Sequence, residues 1–330
     1  MTAPTTANRE PRSTNRFRII RSEYLVLLLC GLLFALLAPF TPGLASPENA
    51  GNLLGSLSPL LIVAIGQTIV LIAGGIDLSV TSTIALTSVV GALVMNGETG
   101  WLKGQPLAMP AGVGAMVLLG AVIGAGNGLA VTKLRMPAFI VTLTTMMFVS
   151  GFAIWLTQSK NIAGLPPAFT LLGNRLWLSL PIAAVLAGFA HLLLTRSLFG
   201  RWLHAVGHNA RTAHVSGVPV DGVVIAAYVA SGVFAAVAAV LYTARLETGS
   251  PVLGQRILLD VIGATVIGGT SLFGGKGKVV WTLWGVLFLT LLDNALNLRG
   301  LSHFSIMMVK GSVILFAALL DTARNRWLSA

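Results

Sequence analysis

The stretch YLVLLLCGLLFALLAPF, residues 24–40, decides the fold. It carries no charge, and its length is close to the roughly 20 apolar residues that cross a bilayer. The polar, arginine-bearing residues 1–21 precede it and GLAS follows, so it also has the n- and h-regions of a secretory signal peptide. The rest of the chain favours an uncleaved first span, because many equivalent apolar segments come after it. Of 330 residues, 55% are hydrophobic and 9% charged, against about 25% charged in soluble domains. No single globular core hides that much apolar surface. The runs are continuous rather than alternating, which selects helices over an outer-membrane barrel. The expected fold class is all-α, a polytopic membrane protein with about ten transmembrane helices.

The ten expected spans are 22–40, 52–73, 78–96, 108–131, 138–157, 177–195, 221–243, 257–270, 279–298 and 304–321. The eighth is short and glycine-rich, as a broken or re-entrant helix is where protein covers its backbone. Residues 1–21 are expected to be a disordered cytoplasmic tail, 22–321 the membrane domain and 322–330 a second cytoplasmic tail. The net charge of +11 is spread among loops and not gathered on one domain, so no nucleic-acid partner is expected. Topology accounts for it instead. With the N-terminus in the cytoplasm, fourteen Lys and Arg fall inside: five in the tail, then Lys133, Arg135, Arg196, Arg201, Arg211, Lys276, Lys278, Arg324 and Arg326. Six fall outside, namely Lys103, Lys160, Arg175, Arg245, Arg256 and Arg299. That bias places both termini inside and requires an even number of spans.

GATVIGGTSLFGGKGKV (263–279) invites a nucleotide reading, which its spacing rejects. A P-loop needs G-x-x-x-x-G-K-[ST]; Thr270 stands where the first glycine belongs and Gly277 where the hydroxyl belongs. In GAGNG (124–128), Leu129 replaces the last glycine of G-x-G-x-x-G. Any ATP this system uses must bind another chain. No cofactor and no catalytic residue is expected. His204 and His208 lie four apart with His214 nearby, but Ala205 takes the place of the H-E-x-x-H glutamate, so solvated loop histidines are favoured over a metal site. Cys30, the single cysteine, is read as a small packing residue.

Several polar residues stand out against the apolar background. Asp77, in GGIDLSV, is expected to cap the third span, with a role in a gate as the sharper alternative. Gly120, Gly124 and Gly128 repeat on one helix face and should let another helix approach closely. Asn127 beside them either bonds a neighbouring helix or faces a solute pathway. Gln67, Asn294 and Asn297 are further neutral polar groups in or near spans; Gln67, Asp77, Asn127 and Asn294 are the pathway or gate candidates. Asp293 and Lys310, at similar depth on consecutive helices, are expected to form a structural ion pair. Trp155, Phe139, Phe148, Trp281 and Trp284 offer flat apolar faces, with anchoring or packing favoured over stacking against a solute.

Five stretches together resemble a known family: GQTIVLIAGGIDLSV (66–80), GAVIGAGNGLAVTKLRMPAFIVTLTTM (120–146), LFGRWLHAVGHNARTAHVSGVPV (198–220), VIGGTSLFGGKGKV (266–279) and LLDNALNLRGLSHFSIMMVKGSVILFAALLD (291–321). The chain is similar to the permease subunits of bacterial ABC importers for monosaccharides, the ribose-type family. The resemblance implies an inner-membrane permease with a cytoplasmic ATPase subunit, a periplasmic sugar-binding protein and a second permease copy or paralogue as partners. It implies that loop 196–220 couples to the ATPase through Arg201, Gly207, Asn209, Arg211, Ser216 and Gly217. Two departures from the family pattern are plain: Arg211 and Thr212 occupy a usually Glu-Ala-Ala-like run, and Leu258 stands where Glu is usual, while Asp260 is kept. A permease for a nucleoside, autoinducer or amino acid is the near alternative. An ion-driven secondary transporter is the distant one, and it normally shows inverted repeats and deep carboxylates.

Overall fold

The computed structural model describes residues 25–329. The expected tail 1–21 and the start of the first span lie outside them. Thirteen α-helices follow in order: α1 Leu25–Leu37, α2 Pro47–Ile72, α3 Val80–Met95, α4 Ala108–Thr132, α5 Ala138–Thr157, α6 Pro167–Asn174, α7 Leu176–Arg196, α8 Leu198–His208, α9 Ala210–Val215, α10 Val220–Leu246, α11 Leu258–Gly268, α12 Val279–Leu298 and α13 His303–Ser329. No strand occurs among the described residues; a lone bridge joins Ile162 and Gly249. Six helices (α2, α4, α5, α7, α10 and α12) are long and apolar enough to cross a membrane, and α1, α3, α11 and α13 are shorter apolar helices.

The 26-residue α2 is the axis of the molecule, roughly 39 Å long. It starts at Ser46, whose side chain accepts the Asn49 N–H, and Pro47 sits in the first turn, where its missing N–H costs nothing. From Leu57 to Ile72 every residue is buried. Helices α7, α8, α10, α11 and α12 surround it. By contrast α5 and α7 expose many large apolar residues, as lipid-facing helices do.

The tightest crossing joins α4 and α10. A methyl group on Gly120 or Gly124 would overlap the backbone of Gly232 or Tyr228, and one on Gly128 would sit 2.7 Å from Ile225 Cα. The expected small-residue face is therefore the contact surface, and α10 is what it meets.

The eighth span is short and broken, as its sequence led us to expect: an 11-residue half-helix, roughly 16 Å long, too short to cross the hydrocarbon core alone. The structure adds three features. The loop before it is not a plain surface loop: Gly249 packs on Ala92 and Ser88, while Gly254 packs on Thr81 and Ile84. Residues 249–254 thus track α3 for about three turns, held where the Ser250 N–H donates to Ser88 Oγ at 3.3 Å. Helix α6 was not anticipated; Pro167 begins it and Gly173 docks it against the α10 backbone. Finally, the loop 196–220 folds into two short helices, α8 and α9, hinged at Asn209.

Candidate functional site

The connections gather at two ends of the bundle. At one end, here the basic end, lie residues 73–79, 132–137, 197–220 and 269–278. At the opposite end lie the starts of α2 and α13 and the ends of α3, α10 and α12.

Three backbones meet at the basic end. The Gly275 N–H donates to Ile72 O at 2.9 Å, closing the C-terminus of α2 with the glycine-rich loop. Gly207, in α8, lies against the same carbonyl and against Gly275 N, so close that a Cβ there would overlap Ile72 O. A Cβ on Gly274 would come 2.7 Å from Gly207 O and 2.9 Å from Gly74 Cα. Gly74, Gly274 and Gly275 all have positive φ, which glycine alone adopts freely. His204 adds a side-chain tie: its Nδ1 is 2.8 Å from Gly200 O and its Nε2 3.4 Å from Gly277 O. GGIDLSV, residues 198–220 and GGTSLFGGKG, distant in sequence, are one junction in space.

The remaining residues expected to couple to an ATPase lie beside this junction. Arg201 and Arg211 are exposed. Asn209 caps α9, its Oδ1 accepting the Thr212 N–H at 3.0 Å. Ser216 donates to Thr212 O at 3.0 Å, and Gly217 turns the chain at φ +82°. A surface cleft of ≈ 390 Å³ opens between α9 and the start of α10, lined by His214 and residues 217–222. Beside it Lys133 pairs with Asp221 at 2.8 Å. Both side chains are more than half exposed, so the pair adds little stability.

Asp77 is buried just inside the junction. It is not the helix cap expected of it: Ser79 holds the N-cap position of α3, with no capping side-chain bond. Asp77 instead closes an Asx turn, Oδ1 accepting from Ser79 N at 3.0 Å and Ser79 Oγ at 2.6 Å. Its Oδ2 accepts from Ser231 Oγ of α10 at 2.8 Å. Asn127 Nδ2 donates to Ser79 Oγ at 2.8 Å, and Thr145 Oγ1 donates to Asn127 Oδ1 at 2.7 Å. Every donor in this chain points toward the carboxylate, which ties α3, α4, α5 and α10 together. Burial pushes the Asp77 carboxyl above its usual range, and the three hydrogen bonds pull it back. Gln67, one turn above the end of α2, is fully buried, and neither amide atom has a partner.

At the opposite end, Lys310 Nζ of α13 lies 2.9 Å from Asp293 Oδ1 of α12. It also lies 2.9 Å from both oxygens of Asp260 in α11. The sequence reading paired Lys310 with Asp293 alone. Asp260 carried a signal of its own, an acid within an apolar run that demands a counter-charge; what hid its partner was that α11 folds back beside α12. Asn294 exchanges two hydrogen bonds with Asn49, at 2.9 and 2.8 Å, fixing the start of α2 to α12. Asn297 donates to Asp293 Oδ2 at 3.0 Å. A cleft of ≈ 340 Å³ opens beside the charges, between α2, α10, α11 and α12.

The aromatic candidates divide. Phe148, Phe152 and Trp155 form an exposed stack along α5, with centroids 6.3 and 5.7 Å apart, away from both clefts. Trp281 lies under Lys278, whose Nζ is 5.1 Å from the ring centroid. Among the described residues no group of three or more His, Cys, Asp or Glu is arranged to hold a metal ion.

Known proteins share this sequence over nearly its whole length. The family described as branched-chain amino acid transport system / permease component matches residues 49–319. The ribose import permease protein RbsC of Bacillus subtilis is 37% identical over 305 residues, covering 89% of this chain and 91% of that protein. RbsC of Escherichia coli K12 is 35% identical over 336 residues, covering 98% and 100%. The L-arabinose transport system permease protein AraH of E. coli K12 is 35% identical over 328 residues, covering 98% and 97%. No solved structure matches the chain.

Proposed function

The chain belongs to the family of branched-chain amino acid transport system permease components, and from that premise we propose that it is the membrane-spanning permease subunit of an ATP-binding-cassette importer for a monosaccharide. The observation that carries the reading is the end-to-end likeness to ribose and arabinose permeases. The chain crosses the bacterial inner membrane ten times, once through the half-helix α11 together with the loop before it; both termini lie in the cytoplasm, and the basic end faces inward, as its lysines and arginines favour.

ATP is bound and hydrolysed by a partner ATPase, which docks on α8 and α9. Arg201, Arg211, Asn209, Ser216 and Gly217 present the docking face, and the cleft beside His214 receives a projecting partner side chain. Displacement of α8 passes through Gly207 directly to Ile72 and the loop at Gly275. Asp77 and Asn127 hold the inner gate; Gln67 and Asn294 lie along the pathway. A periplasmic binding protein delivers the solute to the opposite end, and a second permease copy or paralogue completes the route.

The test is uptake in proteoliposomes holding the permease, its ATPase and its binding protein, with all ion gradients collapsed. Labelled D-ribose or L-arabinose should enter with ATP and not without it. Uptake that follows an ion gradient and ignores ATP would overturn the proposal, as would ATP hydrolysis by the purified permease alone.

A further inference from the structure

We propose that the cleft between α2, α10, α11 and α12 binds a polyhydroxylated solute, through Arg245 and Thr290 at its wall. The proposal rests on the transport function above and assigns it a site. The cleft, of ≈ 340 Å³, is lined by Ser56, Tyr242, Arg245, Asp260, Thr290 and Asp293 among others. That volume falls within the range of small-molecule sites.

Its acids are already partnered. Both oxygens of Asp260 accept from Lys310, and those of Asp293 from Lys310 and Asn297. An ammonium group would have to compete with Lys310 for them.

Hydrogen-bonding capacity, however, is left over. Arg245 forms no ion pair among the described residues, and its guanidinium carries five donors. Thr290 is 6% exposed and Oγ1 has no partner. Buried polar groups without partners are rare and costly, and each calls for an explanation. A sugar offers a donor and an acceptor at each hydroxyl, which is what Thr290 and Arg245 lack.

The experiment uses the full chain in nanodiscs, with Cys30→Ser removing its one cysteine and Ser56→Cys placing a thiol at the exposed rim. The readout is the rate of labelling by a small charged methanethiosulfonate. A ligand that covers the rim at about four times its Kd slows labelling about 5-fold by mass action. D-ribose or L-arabinose should do this; L-leucine should not. Adding Thr290→Val should abolish the protection, measured against the unprotected labelling rate of the same variant. Unslowed labelling in both sugars, protection by leucine, or protection that survives Thr290→Val would overturn the proposal. Labelling needs neither ATP nor partners, so failed ATP-driven uptake counts against the transport function alone, and absent protection counts against this site alone.

Discussion

Lys310 holds two acids rather than one, and that changes what its removal does. Lys310→Met would strand Asp260 and Asp293 beside apolar helices. Breaking a buried pair by deleting one partner costs about 3 kcal/mol or more, so the variant should insert poorly and melt early. Restoring neutrality needs both acids changed: Lys310→Met with Asp293→Asn still leaves Asp260 unpaired, and only the triple variant with Asp260→Asn should recover folded yield in detergent. If the double variant recovers as fully as the triple, Asp260 is not part of the cluster. Gly207 makes an equally local prediction. A methyl there meets backbone, which cannot rotate away, so Gly207→Ala should abolish ATP-driven uptake while its neighbour Ala205→Ser is tolerated; uptake assays on both settle it. The sequence made Lys310 conspicuous, since an intramembrane charge demands a partner. It did not reveal Asp260 as that partner, because the pairing depends on a half-helix turning back beside α12.

Elements were legible where local chemistry decides them. Long uncharged runs mark α2, α4, α5, α7, α10 and α12, and the glycines of α4, four apart, mark a contact face before its partner is known. Less legible were features set by distant contacts. Residues 249–254 lie along α3 because Ser88 and Ala92 are small enough to admit them and Ser88 offers a hydroxyl, none of which is visible in the loop itself. The role of Asp77 was half legible: a local turn follows from the Asp-x-Ser spacing, but its bond to Ser231, 154 residues away, does not. The α4–α10 crossing should be sensitive to bulk. Gly124→Val forces the helices apart, and overpacking of this kind costs about 1–3 kcal/mol; a lowered melting temperature in detergent is the expected result. Gly126→Val, on the open face of the same helix where nothing lies within 4 Å, should melt like the parent.

For the whole molecule, the separation of connections into two ends makes the orientation testable. Single cysteines at Asn209, Gly217 or Phe273 should react with a membrane-impermeant thiol reagent only from the cytoplasmic side. Cysteines at Gly104 or Lys160 should react only from outside. Labelling of position 273 from outside would invert the proposed topology. The joint at Ile72, Gly207 and Gly275 has one more consequence. It is built of main chain, so its shape does not depend on which side chains decorate the outward surface of α8 and α9. Arg201 and Arg211 can drift to suit a different motor without loosening the hinge behind them, and the unusual Arg211–Thr212 pair is where such drift would show first. In the proposed coupling, the outward residues of α8 and α9 recognise the ATPase and the main-chain joint behind them transmits its movement, so a chimaera that exchanges only the outward residues should accept a foreign ATPase and still move the same gate.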